Sequence, residues 1–209
     1  QAIRVKRGSS FVRAWKKEDL PQIGRVHGFL KPPQKTKIIS IYTAKGGVLK
    51  TTSSYNFARI LALNGMKTLV VGLDVQCSVT DLLSTTPEAE SIDEISFLPG
   101  LYEASKSTSD GGFSIKNCIQ SGDLNTLHFI PESINLNFLD QKIRDEKKRE
   151  YFIERLLEPI KSQYDVIIFD NAPNWNFLIQ NSLVAANAII SPVGCDIGTY
   201  KSVSQNIGI

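Results

Sequence analysis

Short apolar runs recur along the chain, each bounded by glycine, proline or charged residues: Ile38-Ile39-Ser40-Ile41-Tyr42, Lys67 to Asp74, Leu127-His128-Phe129-Ile130-Pro131, Asp165 to Asp170 and Ala188 to Val193. Successive rather than alternating apolar positions mark strands buried on both faces, so these runs predict a mostly parallel sheet with helices on each side. Helical spacing fills the intervals. It runs from Thr51 until Asn64-Gly65 closes it, and again from Phe177 to Ala186, with a further helix expected from Tyr200 onward. The helix after the first strand makes a βαβ unit with a right-handed crossover. The mixed-charge run from Gln141 to Arg155 predicts the exposed face of one long helix ending near Leu157. Residues 77 to 125 are poorer in pattern; short helices are expected at Thr80 to Leu83 and Ile92 to Glu103, and a loop at Ser105 to Gly112.

Composition changes this picture mainly at the front of the chain. Residues 1 to 37 carry ten Lys or Arg against Glu18 and Asp19, a balance of +8, leaving −5 for the remainder of a chain whose net charge is +3. Such a block suits phosphate contacts with nucleic acid, and equally a solvated linker. Proline and glycine at Pro21, Gly24, Gly28, Pro32 and Pro33 follow a possible short helix at Phe11 to Leu20, so residues 1–36 are expected to be a basic arm and 37–209 the folded domain. The widely spaced Cys77, Cys118 and Cys195 argue against a disulfide framework or structural zinc site and are expected to be buried or semi-buried. No apolar run approaches a membrane span or a signal-peptide core, which points to a cytoplasmic protein.

The candidate chemistry lies between the first strand and the first helix, in Ala44-Lys45-Gly46-Gly47-Val48-Leu49-Lys50-Thr51-Thr52. A glycine loop leading into a helix N-terminus turns backbone N–H groups toward one point and suits phosphate oxygens. Lys50 adds a full charge there, and Thr51 a hydroxyl where a Mg²⁺ ligand is needed. Asp74 and Asp170 end two other apolar runs on the same expected sheet edge, where open α/β sheets place ligands.

The spacing K-G-G-x-x-K-[ST], with Asp74-Val75-Gln76, Ile130-Pro131-Glu132-Ser133 and Asp170-Asn171-Ala172-Pro173, resembles the deviant Walker-A P-loop ATPases that include ParA-type partition proteins and MinD-type proteins. Gln76 and the tail toward Pro192 look more like ParA. This resemblance, over roughly residues 37 to 205, implies binding of ATP and Mg²⁺ by Lys45, Gly46, Gly47, Val48, Leu49, Lys50, Thr51 and Thr52. It implies Thr51 and, through water, Asp170 at the metal, and Asp74 beside the attacking water. It implies that Lys45 crosses a two-fold interface to a partner's phosphates, in a homodimer formed with ATP. Slow, partner-stimulated hydrolysis, nonspecific DNA binding on the nucleoid and a centromere-binding ParB-type partner come with the resemblance too, and so does a role in plasmid or chromosome segregation. An arm like residues 1–36 resembles the joint to the helix-turn-helix region of longer plasmid ParA proteins.

The chain departs from that pattern at three places. Leu49 stands where the family usually has glycine, and is expected to keep helical dihedrals with its side chain close to the phosphates, shielding them. Gly72 stands where many partition ATPases carry an additional acid. The family's last strands and helices are expected to be lacking. An alternative reading is a hydrolytically weak, nucleotide-dependent scaffold that positions a protein or membrane complex; ATP-dependent self-association without DNA binding would mark it.

Overall fold

The computed structural model describes residues 2–85, 98–106, 114–198, 201 and 204. A hairpin, β1 (Ile3–Arg7) and β2 (Ser10–Ala14), comes first and is followed by α1 (Leu20–His27). The domain proper is a six-stranded sheet made of β3 (Lys37–Ile41), β4 (Thr68–Leu73), β5 (Gln120–Ser121), β6 (Leu127–Ile130), β7 (Val166–Asn171) and β8 (Ala188–Ile190), in the order β5-β6-β4-β7-β3-β8. All pairings are parallel except β5 with β6 at one edge. Every residue of β4 and β7 is buried, as their unbroken apolar runs require.

Alternate residues of these strands feed two cores. Leu69, Val71, Leu73, Ile167 and Phe169 pack with α4 (Leu98–Lys106), α5 (Leu136–Ile143), α6 (Phe152–Lys161) and α7 (Phe177–Ala185). Val70, Val166 and Ile168 pack on the other face with α2 (Lys50–Leu63) and α3 (Ser78–Leu83). The period of two along a strand therefore assigns Gly72 and Asp170, which lie side by side in register, to the α2 face. This sandwich of helices around a mostly parallel sheet is the P-loop NTPase-type α/β architecture.

The long helix expected over 141–157 is instead two. α5 stops at Ile143, Lys148 takes φ 54°, and a 3-10 turn at Arg149–Tyr151 leads into α6. Non-glycine residues enter the left-handed region only locally, so Lys148 ends any continuous helix there. Phe11 lies in β2, not in a helix, and the helix of the arm begins later, at Leu20. Pro21 fits its first turn, where no backbone N–H is needed. Gly24 is required by contact: a Cβ there would strike the Leu63 carbonyl oxygen and stand 2.7 Å from the Asn64 Cα. Arg25 completes the docking by donating to the Gly65 carbonyl at 2.7 Å. The first part of the expected helix at Ile92 to Glu103, most of the loop at Ser105 to Gly112 and most of the helix from Tyr200 lie outside the described residues. Cys118 is buried and Cys77 partly so, but Cys195 is exposed, contrary to expectation.

Candidate functional site

β3, between β7 and β8, runs into the glycine loop, and the loop's entry is fastened to the chain beyond β8. Ser191 donates to the Tyr42 carbonyl at 2.7 Å and Thr43 to the Pro192 carbonyl at 2.9 Å. Beneath it, Asn171 donates to Ser40 Oγ at 2.9 Å and to the Ile41 carbonyl at 3.0 Å, while Ser182 donates to Asn171 at 2.6 Å. All three side chains are buried, and their mutual satisfaction fixes β3 to β7 and α7.

The loop itself turns through two left-handed residues, Gly47 at φ 72° and Leu49 at φ 61°, ψ 31°. Leu49 thus takes the left-handed helical conformation, one natural to glycine, and its side chain is 67% exposed, so it points to solvent instead of screening the loop as expected. Its backbone conformation supplies the turn. A Cβ added at Gly46 or Gly47 would meet nothing within 4 Å, which leaves open space in front of the loop.

α2 starts at Lys50 with no side-chain cap and no acidic residue in its first turn. The free N–H groups and positive end of the dipole therefore face that open space uncompensated. Lys50 is buried and donates to the Lys45 carbonyl at 2.8 Å. Burial lowers its pKa, while the charges of Asp170 and Asp74 oppose the shift. Asp170 is fully buried; its Oδ1 accepts from Ser54 at 2.6 Å and its Oδ2 has no hydrogen-bond partner. Burial raises its pKa, with the Ser54 and Thr51 hydroxyls opposing. Lys50 and Thr51, at the start of α2, therefore share one electrostatic neighbourhood with Asp74, just beyond the end of β4, and Asp170, within the end of β7.

Lys45 turns away from it and pairs with Asp196 at 2.8 Å. Val48 is buried and Thr52 exposed. Asp74 accepts at Oδ1 from the Gln76 N–H at 3.0 Å and borders a cleft of about 210 Å³ that Gln76, Asn137 and Asn174 also line.

A family model described as an AAA domain matches residues 36–207. The chain belongs to that family. It is 31% identical over 160 residues to the chromosome-partitioning ATPase Soj of Treponema pallidum, covering 77% of this chain and 58% of that protein. The sporulation initiation inhibitor protein Soj of Bacillus subtilis is 31% identical over 169 residues, covering 81% and 62%. The chain thus spans less than two thirds of either relative. A plasmid partition protein of Borrelia burgdorferi shares the fold at a TM-score of 0.71 and 24% identity, covering 84% of this chain and 72% of that one. Cobyrinic acid a,c-diamide synthase of Mycobacterium smegmatis, solved with ADP and magnesium, superposes at a TM-score of 0.69 with 26% identity, covering 83% and 66%.

Two residues of this AAA domain's site were given no role by sequence reasoning, although Glu132 lies in the Ile130-Pro131-Glu132-Ser133 segment. Ser54 sits one helical turn after Lys50, and that spacing along α2 was the available signal. Glu132, which follows β6, is 1% exposed; its Oε1 accepts from the Asp74 N–H at 3.3 Å and its Oε2 from the Val79 and Thr80 N–H groups at 3.1 and 3.3 Å. Burial, followed by the charge of Asp170, pushes its pKa up to about 8.

Proposed function

We propose that this chain is the nucleotide-binding part of a ParA-type partition ATPase, which binds ATP with Mg²⁺, dimerises on it, holds nonspecific DNA in that state and releases both on hydrolysis. The observation that carries this reading is the uncapped N-terminus of α2 beside buried Lys50, opening on clear space before Gly46 and Gly47. Relatives named as partition proteins support the cellular role.

The donor set fits magnesium. Thr51 offers a hard hydroxyl oxygen and Asp170 a buried carboxylate oxygen without a donor, while no group of three or more His, Cys, Asp or Glu suited to a metal occurs among the described residues. An ion held here by Thr51 and, directly or through water, by Asp170 would supply positive charge to offset that of the phosphates. Lys50 and the first N–H groups of α2 hold the terminal phosphates, and Asp74 orients the attacking water. Lys45 serves a second protomer. Its pair with Asp196 is largely exposed, so giving up that pair for a partner's phosphate forgoes about 1 kcal/mol or less from the pair itself. The dimer then presents Lys and Arg to the phosphate backbone of DNA, and a ParB-type partner accelerates hydrolysis.

The test compares ATP turnover and DNA retention for the parent and Asp74→Ala. Turnover in the parent that Asp74→Ala abolishes, with DNA retained under ATP but not ADP, is the expected result. Self-association with ATP but no DNA retention would transfer the chain to the scaffold reading.

A further inference from the structure

Gly72, on β4, and Glu132, just beyond the end of the adjacent β6, occupy one space. A Cβ at Gly72 would overlap the Glu132 Cγ and stand 2.6 Å from its Cδ and 2.9 Å from its Oε1. The Glu132 carboxylate can fill this volume only because residue 72 carries no side chain. Once there, it holds the segment after β4 at both ends, taking the Asp74 N–H on one oxygen and the Val79 and Thr80 N–H groups on the other, with Thr80 Oγ1 donating at 3.4 Å. Thr80 Oγ1 also accepts from the Glu132 N–H at 2.7 Å, so the two residues are tied in both directions.

We propose that Glu132 is the positioning residue for Asp74: its carboxylate, lodged in the space left by Gly72, fixes the 74–80 segment and so aims Asp74 at the terminal phosphate. This rests on the role given to Asp74 above. Glu132 touches no reacting atom in this scheme. It acts through hydrogen bonds accepted from three backbone N–H groups in a dry setting. A carboxylate supplied from residue 132 does here what a side chain on β4 itself would do, and Gly72 is the complementary half of the arrangement.

The full chain is tested as Glu132→Gln, Glu132→Ala and the double variant Gly72→Asp with Glu132→Ala. Leaving these buried N–H groups without an acceptor should lower kcat about tenfold in Glu132→Ala, with KM for ATP within about twofold of the parent. Glu132→Gln, which turns one donor toward N–H donors, should fall between them. Amide exchange at Asp74, Val79 and Thr80 should quicken in the single variants. The double variant, with its carboxylate returned to the same space, should recover part of kcat. Unchanged kcat and exchange in both single variants, a loss confined to KM, or no recovery in the double variant would each overturn the proposal. If the parent itself lacks turnover, the ATPase reading fails, and amide exchange still decides whether Glu132 holds the segment.

Discussion

At the scale of single residues, Leu49 shows how a site can keep its shape while losing the expected residue. A left-handed conformation costs an L-amino acid about 1 to 2 kcal/mol, which glycine avoids. Leu49→Gly should therefore stabilise the fold, offset in part by glycine's greater freedom when unfolded, for a net gain of about 0.5 to 1 kcal/mol and a thermal midpoint higher by about 1 to 4 °C. A calorimetric scan that finds the midpoint lowered would mean that Leu49 contributes packing its exposure does not reveal. The proximity of Lys50, Thr51, Asp74 and Asp170 was legible because each lies at a strand end or where the glycine loop enters α2. The part played by Glu132 was not. Its segment was marked by motif, but its contact is with residues more than 50 positions away, which no local pattern discloses.

Among elements, β3, β4, β6 and β7 were legible because strands buried on both faces leave unbroken apolar runs. The division of 141–157 was not, since a charged stretch is compatible with one helix or with two separated by a turn, here residues 144–151 with the left-handed Lys148 among them. The α1 helix was hidden for a different reason. Its Pro21 and Gly24 resemble loop punctuation, yet one suits a first turn and the other lets α1 approach the end of α2. Gly24→Val should undock α1, so residues 2–36 would be cut by a dilute protease many times faster while the remaining domain resists. Equal cleavage rates in parent and variant would show that the contact does not secure the arm.

For the molecule as a whole, the cross-strand register of the hairpin matters to the proposed DNA contact. Arg4 stands directly opposite Arg13, and Lys6 opposite Phe11, on one face of an exposed ribbon. Like charges directly opposite are unfavourable by themselves and favourable around a phosphate. Replacing Arg4 and Arg13 by alanine should weaken ATP-dependent DNA binding for all sequences alike and reduce the slope of log affinity against log salt by about 2. An unchanged slope would remove the ribbon from the DNA surface. The architecture and the nucleotide-facing edge were legible in the chain because they follow from strand order and loop chemistry. The basic arm's register was not, because its strands have no buried face to impose a pattern.

The placement of α2 has a mechanical side. Its first residues frame the phosphate site and its last residues bear α1, about 20 Å away along one continuous helix of 14 residues. A stiff rod loaded at both ends is a lever. A tilt of about 5° around the phosphate end carries the far end by roughly 2 Å, a displacement that ordinary side-chain packing does not absorb. The arm and the nucleotide, at opposite ends of the helix, thereby become mechanical neighbours.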